Sequence, residues 1–160
     1  MNRTPTERAL IVFFRLAMAW TFLYAASHQV FTDWSVAGFL TGTKTFHWLY
    51  APLGAPAIAA VLTVIVGYGH LLIGLSLLSG LMVRLSSIFG IGIMLLYWMA
   101  HMDFPYISDT TNFLIDEHVV YGLVLGLLIV VRAGHIWGLD AWADKQPQVT
   151  HNKWLTWATA

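Results

Sequence analysis

Apolar residues in this chain run in long unbroken blocks, and the polar ones collect between them. There are 17 uncharged residues between Arg15 and Asp33, 39 between Lys44 and Arg84 and 18 between Arg84 and Asp103, while 118–138 carries a single charge, Arg132. A hydrocarbon core of about 30 Å needs roughly 20 predominantly apolar residues per helix. The gaps therefore predict four membrane helices at about 9–30, 57–80, 84–101 and 118–137. The second and third blocks show no polar face, where a helix on a water-soluble bundle would carry one. The first block follows Arg3, Glu7 and Arg8, as a signal peptide would. It is too long for a signal core, however, and Ser27-His28-Gln29 makes a poor small-residue cleavage site, so it reads as a retained helix.

The segments between the blocks differ in kind. Residues 32–56 hold Trp34, Phe39, Phe46, Trp48, Leu49 and Tyr50 and close on Pro52 and Pro56. Aromatic residues favour the headgroup level, so this stretch reads as an interfacial or re-entrant element covering one end of the bundle. Residues 102–117 are acidic and broken by Pro105, and 80–84 form a tight hairpin. The expected fold is all-α: one integral-membrane four-helix bundle over residues 1–160, with both termini on the same side. Gly67, Gly69 and Gly74, and the Gly122-x-x-x-Gly126 spacing, read as places where helices approach closely. Arg15 reads as a snorkelling residue, and Arg84 and Arg132 as interface anchors, with Arg132 meeting Asp140.

Composition sharpens this picture. With 58% hydrophobic and 10% charged residues and a mean hydropathy of +0.69, the chain is not an ordinary soluble domain. A net charge of zero removes the basic excess of a nucleic-acid binder. The absence of cysteine excludes disulfides, thiolate-held clusters and cysteine-based zinc sites. Sorted by the expected topology, the zero is two faces cancelling. Arg3, Arg8, Arg15, Arg84, Arg132, Lys145 and Lys153 outnumber Glu7, Asp140 and Asp144 on the side of the termini. Opposite them, Lys44 stands against Asp33, Asp103, Asp109, Asp116 and Glu117. The positive-inside rule then places both termini in the cytoplasm, in a cytoplasmic (inner) membrane.

The stretch from Arg15 to Phe31 followed by Phe39-Leu40-Thr41-Gly42, the run Gly69-His70-Leu71-Leu72-Ile73-Gly74-Leu75-Ser76-Leu77-Leu78-Ser79-Gly80-Leu81 closing on Arg84, and the closing Ala133-Gly134-His135-Ile136-Trp137-Gly138-Leu139-Asp140 resemble the DoxX/DoxD family over about residues 8–142. That resemblance implies a small four-helix membrane protein related to a subunit of thiosulfate:quinone oxidoreductase, with quinone as substrate or bound cofactor and a partner subunit. Many relatives carry glutamate where this chain has His70.

Against that background the polar groups near the outer side are the candidates for chemistry. His70 falls near mid-bilayer, where a polar group needs a partner or a role. His118 opens the fourth helix after Asp116-Glu117, and His101 closes the third beside Tyr97 and Trp98. Quinone reduction takes two protons with two electrons, and a histidine backed by a carboxylate suits that transfer. His70, His101, Asp116 and His118 are thus the expected catalytic residues, with His28, Trp98 and Tyr121 expected to contact the quinone. For each, capping, core packing or membrane anchoring is the competing structural role. Met94, Met99 and Met102 make no copper pattern, and no metal site is expected. A non-catalytic accessory subunit of a larger redox or photosynthetic assembly is the alternative. A b-type cytochrome using His70 and an outer histidine is disfavoured by their different depths. The acidic outer face opposes an unassisted anion such as thiosulfate as substrate.

Overall fold

The computed structural model describes residues 3–103, 106–107 and 115–160. Helix α1 spans Pro5–Val30, α4 Pro56–Ser79 and α5 Val83–His101, and all three are long and apolar enough to cross a membrane. A fourth apolar helix, α6, spans Glu117–Val130. α1 packs mainly on α4 and α5 on α6. Between α1 and α4 the chain forms α2 (Ala37–Thr41), α3 (His47–Tyr50) and a 3₁₀ turn (Ala51–Gly54). These pack Val36, Leu40 and Tyr50 against Ala59 and Ala100, so the aromatic-rich segment does cover one end of the bundle. A two-residue ladder pairs Met102 with Ile107 and Asp103 with Tyr106.

The helix ends follow their sequences. Thr4 caps α1 through a capping box with Glu7, and Pro5 stands in the first turn, where its missing N–H costs nothing. α4 opens on Pro56 and stops at Gly80, whose φ of 70° is the left-handed conformation that favours glycine. Asp116 caps α6, with its side chain accepting from His118 N and Val119 N.

The packing is arranged for lipid. Phe13, Leu72, Phe89, Leu123 and Val130 face outward, while the interior holds Met18, Phe22, Leu77, Met94, Leu125 and Leu128. Helices surrounded by hydrocarbon associate by close van der Waals fit rather than by burial from water. Gly74 meets this requirement, because a Cβ there would stand 2.7 Å from the Leu23 side chain and 3.0 Å from its backbone nitrogen. Gly67 and Gly69 are looser, and Gly122 and Gly126 have nothing within 4 Å. The Gly122-x-x-x-Gly126 spacing is therefore not a helix contact within this chain.

The end of the bundle that holds both termini departs most from expectation. Arg15 does not snorkel. It is 2% exposed, and its guanidinium donates to Ala133 O at 2.7 Å, Ile136 O at 3.0 Å and Trp137 O at 3.2 Å. Residues 131–137 accordingly do not extend the fourth helix. α6 stops at Val130 after 14 residues, Arg132 takes a φ of 52°, and a 3₁₀ turn at Ala133–His135 aims its carbonyls at Arg15. At 1.5 Å per residue α6 is about 21 Å long, short of a full crossing by itself.

Asp140, also 2% exposed, completes the lock. It accepts from Met82 N at 2.6 Å and Val83 N at 3.2 Å, fixing the start of α5, and its charge acts on Arg15. Burial pushes its carboxyl up, opposed by those two amides. The backbones of Gly80 and Gly138 touch across the guanidinium, where a Cβ on Gly80 would lie 2.6 Å from Gly138 Cα and 2.8 Å from Arg15 Nη1. Arg132 does not reach Asp140. It pairs instead with Asp144 at 3.6 Å, which also binds His135 Nε2 at 2.6 Å and Thr159 Oγ1 at 2.6 Å. Asp144 thereby fastens the C-terminal elements α7 (Asp140–Ala143), α8 (Pro147–Thr150) and α9 (Lys153–Thr159). Exposed Trp137, Trp142, Trp154 and Trp157 gather in this region.

Arg15→Leu should lower stability in detergent by about 3–5 kcal/mol, since it takes the donor from the buried carbonyls of Ala133 and Ile136 and the opposite charge from buried Asp140; an unchanged melting temperature would show that the lock is dispensable. Burial raises the Asp144 carboxyl, but the hydrogen bonds from Thr159 and His135 and the charges of His135 and Arg132 outweigh it and hold it below its ordinary 3.8. Its contribution is thus complete above the ordinary carboxylate range and lost as pH falls through the lowered value. Hydrogen exchange in 153–159 should stay slow down to about pH 4 in the wild type. In Asp144→Asn it should already be fast at neutral pH, and equal exchange in the two proteins would refute this role.

Candidate functional site

At the other end of the bundle the last turn of α5 meets the first turn of α6. His101 closes α5 and donates from Nδ1 to Tyr97 O at 2.8 Å. His118 follows Asp116, whose Oδ1 accepts from His118 N at 3.0 Å and Val119 N at 3.2 Å, while its Oδ2 lies 3.0 Å from His118 Nδ1. A carbonyl or a carboxylate only accepts, so both rings carry the proton on Nδ1 when neutral and keep the lone pair on Nε2. The two imidazoles stack with centroids 5.0 Å apart at 22°. Among the described residues, His101, Asp116 and His118 form the one group of metal-capable side chains, each half-buried, with ligand atoms within 4.8 Å of one another.

This pair continues inward through aromatic rings. Tyr97 meets His118 edge-on at 5.6 Å and stacks on His70 at 5.8 Å and 22°, and His70 in turn lies 5.5 Å from Phe22. His70 is 2% exposed and donates from Nδ1 to Val66 O at 2.7 Å. Phe39 of α2 closes the outer side, with its ring 5.3 Å from Tyr97 and 5.5 Å from His101. Gln29 lies against the Tyr97 hydroxyl, and its buried Oε1 has no hydrogen-bond partner.

Beside the stack an apolar groove of about 550 Å³ runs between α5 and α6. Met94, Leu95 and Trp98 form one wall and Val119, Gly122 and Leu123 the other, with His118 as the polar group in its lining. Gly122, which packs on no helix, leaves the width of the groove.

The expected residues thus separate into two sets. His101, Asp116 and His118 come together, His118 and Trp98 line the groove beside them, and His70 joins through Tyr97. His28 does not, since it is exposed on α1, with its ring tilted against Tyr24 at 4.6 Å and bonded to Tyr24 O. Tyr121 packs against the hydrophobic core rather than lining the groove. Asp109 lies outside the described residues. Lys44, the cation expected to offset the outer acids, is bound to Asp103 at 2.6 Å. Tyr97, Phe39 and Gln29 also belong to this site, though they were not among the expected site residues. Tyr97 was detectable, standing four residues before His101 on the same helix face, whereas nothing local marks the other two.

No curated protein and no solved structure matches the chain. The DoxX family model matches residues 10–102, well over half of the sequence. That match runs from α1 through the covering segment and α4 to the end of α5, and so includes His70, Tyr97 and His101. The chain belongs to the DoxX family of small membrane proteins.

Proposed function

We propose that this chain is an integral-membrane oxidoreductase subunit of the DoxX/DoxD type that passes electrons to the quinone pool at the groove between α5 and α6. One observation carries the reading: an apolar groove whose polar group is an imidazole held from behind by a carboxylate. A quinone is a flat ring with two carbonyl oxygens and a long apolar tail. Its volume suits a groove within the roughly 300–1,000 Å³ of small-molecule sites. The head would meet His118 and Trp98, with the tail lying along Met94, Leu95 and Leu123.

Reduction adds two electrons and two protons and leaves a quinol. His118 Nε2 faces the groove as the proton-transfer atom, and Asp116 on Nδ1 orients the ring. The His70–Tyr97 stack places a second titratable ring pair behind it. The electrons enter from a partner subunit. The outer acids, with Lys44 already committed to Asp103, favour oxidation of any anionic donor on that partner rather than on this chain. The charge asymmetry supports a site near the outer leaflet with both termini in the cytoplasm.

The test is quinone reduction by the membrane-embedded protein with its native electron donor. His118→Ala is expected to lower turnover by about 10²-fold or more, and Trp98→Ala to raise the quinone KM with a smaller effect on kcat. His151→Ala, at the far end of the fold, serves as the control. Unchanged quinone retention and turnover in His118→Ala would refute the assignment and favour an accessory role.

A further inference from the structure

We propose that His101, His118 and Asp116 form a binding site for a divalent first-row transition metal ion, zinc or a neighbour of similar ligand preference. Ligand geometry carries this site, apart from any quinone in the groove. The sequence has no cysteine, so no thiolate is on offer, and these three side chains bring nitrogen and oxygen ligands within 4.8 Å of one another. Imidazole suits zinc, copper, nickel and iron, and two histidines with one carboxylate form a set that leaves coordination positions open.

The donor atoms are already placed for this purpose. His101 is tied through Nδ1 to Tyr97 O, and His118 through Nδ1 to Asp116. His101 therefore presents Nε2 with its lone pair, the state in which histidine binds metal, with a backbone carbonyl on the other ring nitrogen as the usual support. At His118 an ion would take the place of the Nδ1 proton facing Asp116 Oδ2 at 3.0 Å, a span that two ligands of one ion share. Asp116 is itself held, with Oδ1 committed to two backbone amides of α6. The ligands also come from two different helix ends, so an ion would tie the close of α5 to the start of α6. Because His118 lines the groove, the open positions would be accessible from it.

The full-length protein in detergent, stripped with a chelator and free of added quinone, should be titrated with Co²⁺ and followed by its visible absorption, then with Zn²⁺ in competition. The expected result is one ion per chain, bound as a histidine–carboxylate complex and displaced by zinc. His101→Gln and His118→Gln should each weaken binding by about 10–100-fold, as should Asp116→Asn. His151→Ala should bind as the wild type does. Elution volume and helical ellipticity identify variants that keep the fold, and the wild-type stoichiometry tests the site even if one variant does not. Failure of the wild type to bind an ion, or equal binding by wild type and a folded His101→Gln/His118→Gln double variant, would overturn the proposal. Either result would leave quinone turnover to be judged on its own assay.

Discussion

A buried guanidinium sets the architecture. Arg15 is buried inside the bundle, and its two terminal nitrogens donate to the carbonyls of a turn 118 to 122 residues away in sequence, while its Nε has no partner among the described residues. That turn exists because α6 stops early, and a buried cation needs a counter-charge, which Asp140 provides while capping the start of α5. One interaction thus joins α1, the α4–α5 turn, the start of α5 and the exit of α6. Gly80 and Gly138 are required by the same constraint, since side chains there would occupy the space of the guanidinium. In hydrocarbon, where burial from water does not drive helices together, such a polar lock supplies register that apolar surfaces do not.

Fixing one end of the bundle disciplines the other. α5 and α6 leave the lock as a packed pair, and their far ends meet where His101 and His118 stack. The interior between the two ends is not uniformly aliphatic. Phe22, His70 and Tyr97 form a ring column from the core to the rim. His70 therefore has a neighbour of its own kind at mid-depth, and the difference in depth between it and the rim histidines is bridged by one tyrosine. The covering segment contributes Phe39 to the same column, so the connection between α1 and α4 is part of the site's wall.

Much of this was legible in the sequence, for physical reasons that can be named. Long charge-free blocks specify membrane helices because hydrocarbon tolerates little else, and the starts of all four fall within a few residues of their expected places. The cluster of His101, Asp116 and His118 was legible because odd helices end and even helices begin on one side. The end of α6 was not legible. Residues 131–137 are as apolar as a continuing helix, and only a long-range partner, Arg15, makes the chain turn there. Arg15 was misread for the same reason, since a lone arginine in the first turns of a membrane helix ordinarily reaches for headgroups. His28 and Tyr121 show the limit of depth as a criterion. Both stand at the right level, but depth does not say which way a side chain faces, and one points outward while the other packs into the core.

The two faces of the bundle thus hold different chemistry: a buried polar lock with the termini, and a half-open imidazole–carboxylate group beside an apolar groove opposite. Whether a quinone occupies that groove is tested most directly by photolabelling the protein in membranes with an azidoquinone and mapping the adduct. Labelling within 91–98 and 115–123, abolished by excess unmodified quinone, is the expected result. Labelling confined to the separate apolar surface between α4 and α5, near Leu72 and Phe89, or labelling that excess quinone does not displace, would contradict the proposed site.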